Sequence, residues 1–168
     1  SSLSGFESLA DIGRLSVNNN ISLTSLTSFP NLTNPGGLSI TDNPALTSLA
    51  GLETFSQAAY LEISNCDLLT DLTGLNSLES TTYFTKILDN DGITSLEGLG
   101  NLISPTSLYI ENNSSLTSLE GLPDYDSIQG TLSLNGNHAL ENIPELSDLA
   151  YVGEDLLIYY DTLITSLS

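Results

Sequence analysis

Leucine and isoleucine recur along the chain in a repeat of 23 or 24 residues. Each repeat opens with two residues separated by one other, a Leu-x-aliphatic step that has Thr85 in place of Leu in one repeat, and the first of the two is position zero. Because side chains alternate along a β-strand, positions zero and plus two point to one side and are predicted to be buried. Consecutive copies are then predicted to stack as parallel strands. Position zero is occupied by Leu15, Leu38, Leu61, Thr85, Leu108, Leu132 and Leu156.

Four further apolar columns follow each strand, at positions plus eight, plus eleven, plus fourteen and plus seventeen. The opening segment continues the same columns with Leu3, Phe6, Leu9 and Ile12. Prolines interrupt this returning side, which favours 3₁₀ turns and extended segments over long α-helices. Glycines just before plus fourteen are expected to permit a turn that a side chain would hinder. They are Gly5, Gly51, Gly74, Gly98 and Gly121.

A polar column stands at position plus five, where the chain leaves the strand. Asn carries both a donor and an acceptor, so it can satisfy the buried backbone groups at this point. The column is therefore interpreted as a structural ladder, and Cys66 within it as a small buried residue without reactivity. Its members are Asn20, Asn43, Cys66, Asn90, Asn113, Asn137 and Asp161.

The pattern resembles a leucine-rich repeat. It is similar, more narrowly, to the receptor-L-domain-like repeats of bacterial and fungal cell-surface proteins. The segments LSITDNPALTSLAGLETF and LYIENNSSLTSLEGL carry the resemblance, which extends over the whole chain. It implies extracellular display and binding, and it names no ligand. Thr85, Cys66, Asp161 and the segment ENIPEL at 141–146 depart from the pattern without breaking its spacing.

The expected fold is a β-rich solenoid, a right-handed coil of 23–24-residue turns. A parallel sheet is expected on its concave face, with 3₁₀ and extended segments on its convex side. Residues 1–168 form a single array, with a partial coil at 1–14 and coils starting near 15, 38, 61, 85, 108, 132 and 156. Neither end shows a polar cap, and an uncapped solenoid exposes apolar surface such as Leu3 and Leu167. We therefore expect a segment of a longer protein or, alternatively, copies that stack end to end.

The strongly negative charge of the chain limits the classes of partner that it is expected to bind. The formal net charge is −19, from 21 acidic residues against two cations, Arg14 and Lys86. Two cations cannot form the basic patch that nucleic acid requires, and an anionic membrane surface would repel the chain. No stretch is long and apolar enough to be inserted in a membrane. A single cysteine excludes an internal disulfide.

No set of residues indicates catalysis, so the chain is not expected to be an enzyme or to need a cofactor. His138 is the only histidine and is expected in an exposed loop. The run Asp89-Asn90-Asp91-Gly92 is typical of the start of a calcium loop, but Gly100 stands where the twelfth-position Glu is required. No dedicated metal site is expected, although adventitious calcium on the acidic surface stays open. Among Asn-x-Ser/Thr sequences, Asn31 is the expected accessible glycan acceptor.

Two exposed surfaces compete as the functional face. On the concave sheet, positions minus one, plus one and plus three combine aromatic residues with both cations, which is typical of interface anchors. The alternative is that aromatic residues simply favour strands. These positions include Arg14, Tyr60, Glu62, Phe84, Lys86, Leu88, Tyr109, Glu111, Leu157 and Tyr159. The second surface is a row of Thr-Ser pairs: Thr24-Ser25, Thr47-Ser48, Thr94-Ser95, Thr117-Ser118 and Thr165-Ser166.

The Thr-Ser row resembles ice-binding surfaces, but capping of local backbone groups explains it better. Thr70-Asp71 and Glu141-Asn142 interrupt the row, which also weakens the ice-binding hypothesis. The leading expectation is an extracellular or cell-surface adhesion module that binds protein or glycan through its concave sheet. The alternatives are a structural segment of a surface filament and, more remotely, an ice-binding solenoid.

Overall fold

The chain is a parallel β-solenoid with almost no helix. The computed structural model describes residues 3, 5–27, 29–33 and 35–164. Its elements are β1 (Leu15–Asn18), β2 (Leu38–Thr41), β3 (Gln57–Ser64), β4 (Ser80–Leu88), β5 (Ser104–Pro105), β6 (Leu108–Glu111), β7 (Ser127–Ile128), β8 (Leu132–Asn135), the 3₁₀ helix η1 (Pro144–Leu146), β9 (Tyr151–Val152) and β10 (Leu156–Tyr159).

The main sheet contains one strand from each successive coil, in the order β1-β2-β3-β4-β6-β8-β10. All of these pairings are parallel. Leu15 pairs with Leu38, Leu38 with Leu61, and the same column continues through Thr85, Leu108, Leu132 and Leu156, so partners lie 23 or 24 residues apart. The predicted parallel β-solenoid is confirmed.

The core is a continuous stack of the apolar columns. Ile40, Ile63 and Ile110 at position plus two are completely buried. Leu49, Leu72 and Leu96 at plus eleven are equally inaccessible to solvent. Each coil therefore buries its apolar side chains against the coils before and after it, and the resulting loss of water-exposed apolar area stabilises the stack.

The side opposite the main sheet consists of single turns. Backbone bonds that span three residues recur there, as from Leu52 N–H to Leu49 O (3.3 Å) and from Phe55 N–H to Leu52 O (3.1 Å). Among the described residues, η1 is the one 3₁₀ helix. It lies where the glycine column has Glu145, a residue that does not readily adopt the positive φ of the other coils. Within the described chain, no helix is long and apolar enough to cross a membrane.

A further buried column lies three or four residues before position zero, and the sequence pattern did not indicate it. Pro35, Ala58, Thr81, Pro105 and Ile128 occupy this column and are buried. Its residues lie in the first parts of β3 and β4, in β5, and in β7, which pairs with β9 in a two-stranded sheet. It also explains Thr85 at position zero, because the Thr81 and Thr85 hydroxyls lie 3.0 Å apart and bond each other inside the core.

Candidate binding face

The outward face of the main sheet is built by alternation. Because zero and plus two point inward, the positions minus one, plus one and plus three point away from the core. Strands β3, β4 and β6 are neighbours, so their outward side chains form one continuous patch. We call this patch the outer-face cluster; all its members are half-buried: Tyr60, Glu62, Phe84, Lys86, Tyr109 and Glu111.

An aromatic stack forms the centre of the cluster. The rings of Tyr60 and Phe84 have centroids 5.3 Å apart at an interplanar angle of 28°. The Tyr60 ring also covers the backbone of Gly37 on the preceding coil, where an added Cβ would lie 2.4 Å from the ring. A bulge between Ala58 and Tyr60 shifts the pairing of β3 with β4 at this point. Gly37 therefore provides the space in which the Tyr60 ring lies.

Lys86 lies between two aromatic rings. Its Nζ is 4.6 Å from the centroid of Phe84 and 5.2 Å from that of Tyr109. Ring faces carry partial negative charge, so both contacts attract the ammonium. Strand register places Glu62 on one side of Lys86 and Tyr109 on the other. The contact joins β4 to β6 on the outward face.

Glu111 is oriented by a neighbouring coil. The Ser133 hydroxyl on β8 donates to Glu111 Oε1 at 2.6 Å. Register places Leu88 of β4 directly beside Glu111. One carboxylate oxygen is thus held by a hydrogen bond within the sheet.

Three residues expected on this face lie apart from the cluster. Arg14 is exposed on the first coil, and Gly37 of the second coil lies between it and Tyr60 in the position-minus-one column. Tyr159 on β10 is 53 % exposed and is separated from Glu111 by Asn135 of β8. Leu157, also on β10, is half-buried. Of the ten outward residues selected from the sequence, the structure therefore brings six together in the cluster, with Leu88 beside Glu111, and leaves Arg14, Leu157 and Tyr159 apart.

The position-plus-five ladder bonds neighbouring coils together just after the carboxyl ends of the main strands. In the fourth coil, Asn90 Nδ2 donates to Ile63 O (3.0 Å) and Leu88 O (2.8 Å). Asn90 Oδ1 accepts from the Cys66 N–H at 2.9 Å. Each amide thus satisfies backbone groups of its own and the preceding coil. Asn43, Asn113 and Asn137 bond in the same way and are completely buried, whereas Asn20 at the first coil is half-buried.

The two exceptions in the ladder differ from Asn in chemistry. Burial raises the pKa of the Cys66 thiol to about 11, which disfavours the reactive thiolate. Asp161 Oδ1 accepts from the Asn137 N–H at 2.8 Å, but its buried Oδ2 has no partner among the described residues. Burial raises the pKa of Asp161 above its ordinary value, against the lowering effect of the bonds from Asn137 and of His138.

A second polar column, at position plus four, was not identified from the sequence pattern. Five of its residues adopt left-handed backbone: Asn19, Asp42, Asn65, Asp89 and Asn112 have φ between 53° and 61°. Asn and Asp tolerate this conformation better than other side chains, and their repetition one position before the ladder was the available signal. Asn65 Nδ2 donates to Asp42 Oδ1 (3.1 Å), and Asn112 Nδ2 donates to Asp89 Oδ1 (2.9 Å).

The acidic run at 89–92 is occupied by these structural bonds. Asn90 belongs to the ladder, Asp89 accepts from Asn112, and Asp91 accepts from the Ser114 hydroxyl at 2.6 Å. In the described part of the chain, no group of three or more His, Cys, Asp or Glu side chains is placed to hold a metal ion. His138 is exposed, with Nδ1 2.9 Å from Tyr160 O. Asn31 is also exposed, and its amide donates to Glu7 O at 2.6 Å.

The Thr-Ser row makes bonds to backbone. The Thr47 hydroxyl donates to Thr24 O (3.2 Å), and Ser48 Oγ accepts from the Ala50 N–H (3.1 Å). Ser118 Oγ accepts from the Glu120 N–H in the same manner (3.3 Å). These bonds favour the capping interpretation over an ice-binding array. Thr165 and Ser166, with Leu167, lie outside the described residues.

The comparisons with known proteins give no relative. No family model, curated protein or solved structure matches the chain.

Proposed function

We propose that the chain is a non-catalytic recognition module of the leucine-rich-repeat type, displayed outside the cell, that binds a protein or glycan through the outer-face cluster. The observation that carries the proposal is the continuous set of half-exposed rings, Tyr60, Phe84 and Tyr109, around Lys86. Tyrosine and phenylalanine supply large, rigid contact areas at a low cost in side-chain entropy. The resemblance to cell-surface repeats supports the location.

The scaffold under the cluster favours this function. Strands β3, β4 and β6 are hydrogen-bonded to a neighbouring strand on both edges. Carbonyl groups of β3 and β4 also accept hydrogen bonds from the ladder amides. The Tyr60 ring is held between Gly37 and Phe84 before any ligand arrives. A preorganised surface loses less conformational entropy on association, so more of its contact energy contributes to affinity.

Removal of the three rings tests the proposal. The variant Tyr60→Ala/Phe84→Ala/Tyr109→Ala is compared with the parent chain for attachment to cells, to immobilised glycans and to candidate partner proteins. The matched control is Tyr151→Ala, which removes a ring that is 54 % exposed on β9, outside the main sheet. Loss of attachment in the triple variant alone supports the proposal. Unchanged attachment with an intact fold contradicts it.

An end-to-end filament segment remains the second candidate. It is supported by the apolar and aromatic side chains exposed on and beside β10, where Leu156 is 54 % and Tyr160 77 % exposed. Another coil stacked on this strand would cover them. Analytical ultracentrifugation over a range of concentrations separates the candidates, because a monomer at every concentration contradicts polymerisation of this segment.

A further inference from the structure

Within the part of the chain that the structure describes, the carboxylates of the outer-face cluster form no ion pair. Glu62 lies beside Lys86 in the sheet register, yet among the described residues neither forms an ion pair with the other. Glu111 accepts from the Ser133 hydroxyl, a neutral donor. Both side chains are half-buried, so they are partly removed from water. Partly desolvated carboxylates that form no ion pair favour the approach of a cation.

An acidic rim adjoins the cluster. It consists of Asp42, Asp67, Asp89 and Asp91, which lie in the loops directly after β2, β3 and β4. Neither of the two cations of the chain, Arg14 and Lys86, lies in these loops. Because the whole chain carries a net charge of −19, the rim adds to a negative field around the cluster. Such a field raises the encounter rate with cations and lowers it with anions.

The rings add a second attraction for cations. Lys86 already shows that Phe84 and Tyr109 accept an ammonium at 4.6 and 5.2 Å. The Tyr60 ring is half-exposed, and no cation of the described residues lies on it. An arginine guanidinium stacks on an aromatic face and simultaneously bonds a carboxylate, which matches a surface where rings and carboxylates alternate.

We infer, on the basis of the proposed function, that the partner is a basic protein segment whose Arg or Lys side chains contact Tyr60 and bond Glu62 and Glu111. Lys86 limits the affinity, because its ammonium repels the incoming cation. Sulfated or sialylated glycans are repelled by the acidic rim. A neutral glycan would contact the rings and donate its hydroxyls equally to Glu or Gln, so its binding would depend little on the carboxylate charge. Charge-changing substitutions therefore separate the classes of partner.

The experiment measures binding of the full chain to a fluorescent peptide of repeated Arg-Gly-Ser units and to its Glu-Gly-Ser counterpart. Binding is followed by anisotropy at NaCl concentrations from about 50 to about 300 mM, since screening weakens attraction between exposed charges. Glu62→Gln/Glu111→Gln is compared with Glu97→Gln/Glu120→Gln, which makes the same charge change at exposed positions on the opposite side of the coil. Lys86→Gln is the third variant.

The expected result is that the parent chain binds the Arg peptide and not the Glu peptide. We expect Glu62→Gln/Glu111→Gln to weaken binding about tenfold and the control pair less than about twofold. Lys86→Gln is expected to tighten binding about threefold, since a repulsive charge is removed. Equal effects of the two Gln pairs, weaker binding by Lys86→Gln, or no binding of the Arg peptide would overturn the inference.

The ring variant keeps this inference separate from the proposed function. If Tyr60→Ala/Phe84→Ala/Tyr109→Ala abolishes attachment to cells or neutral glycans while Glu62→Gln/Glu111→Gln leaves it intact, the face binds but the partner is not basic. If neither set of substitutions alters attachment, the proposed function fails as well.

Discussion

At the scale of single residues, the position-plus-five ladder shows how one amide supports two coils. Asn113 Nδ2 donates to Ile87 O at 2.9 Å, and its Oδ1 accepts from the Asn90 N–H at 3.1 Å. A carboxylate can only accept, and a thiol donates and accepts weakly, so each leaves a backbone group poorly satisfied. The two residues that replace Asn, Cys66 and Asp161, are therefore the positions where substitution should increase stability.

Cys66→Asn is expected to stabilise the fold by about 1 kcal/mol, the usual net value of one intramolecular hydrogen bond. The thiol's contacts with carbonyl oxygens are long, 3.5 Å to Ser64 O and 3.9 Å to Ile40 O. An amide would donate to these carbonyls and accept from the Asn43 N–H, as Asn90 does for Cys66. Urea unfolding at neutral pH measures the change. Cys66→Ala is the comparison variant, and an Asn variant no more stable than Cys66→Ala would refute the expectation.

Asp161 is expected to make folding weaker as the pH rises. Burial raises its pKa in the folded state above the unfolded value, so the folded chain holds more protons between those two values. Its contribution to stability is therefore greatest below the unfolded pKa and is lost as pH rises through the folded pKa. Asp161→Asn should be more stable than the parent at neutral pH, with a difference that shrinks below about pH 4. Thermal unfolding across pH 3 to 8 measures this, and a pH-independent difference would contradict it.

At the scale of the element, the glycine turn controls how closely coils approach. Gly98 has φ of +111°, and an added Cβ would lie 2.0 Å from Leu72 O of the preceding coil. Gly98→Ala is expected to destabilise the fold by about 1–3 kcal/mol through backbone strain and separation of the coils. Gly100→Ala is the matched control two residues away, where the nearest atom to the new Cβ is Gly121 O at 3.6 Å. Equal unfolding free energies for both variants would disprove this assignment.

The strands and the main core could be predicted from the sequence, and the buried column three or four residues before position zero could not. Positions zero and plus two hold Leu, Ile and Val almost throughout, so their period is visible without coordinates. The column of Pro35, Ala58, Thr81, Pro105 and Ile128 mixes small, polar and apolar residues, and only the stacking of coils reveals that it is buried. Thr85 looked like a departure because its partner, Thr81, lies in that unrecognised column.

The outward residues of the candidate site could be predicted from the sequence, but their contacts with one another could not. Alternation along each strand indicates which side chains point outward, so Tyr60, Phe84, Lys86 and Tyr109 could be selected from the sequence. Their contacts depend on details between coils, such as the absence of a side chain at Gly37 and the bulge before Tyr60. Distance along the sheet, which separates Arg14 and Tyr159 from the cluster, depends on the whole strand order.

At the scale of the whole molecule, net charge opposes the compact state. With a charge of −19, self-repulsion among the carboxylates destabilises folding, and added salt screens it. Raising NaCl from about 50 to about 500 mM is expected to raise the Tm by about 2–4 °C, which corresponds to about 1 kcal/mol in a chain of this size. Differential scanning calorimetry measures the shift. A Tm that stays constant or falls with salt would show that repulsion is not a significant term.

The stacking of outward columns underlies both the fold and the proposed binding face, and distances between coils test it directly. In a Cys66→Ala background, one spin label is attached at Asn18, position plus three of the first coil. The second label is attached at the same position of a later coil, in three separate variants: Glu111, Asn135 and Tyr159. Pulsed electron resonance should give backbone separations of about 19, 24 and 29 Å, rising by one strand spacing of about 4.8 Å per coil. Distances that do not increase coil by coil would contradict the parallel solenoid and the continuous face built on it.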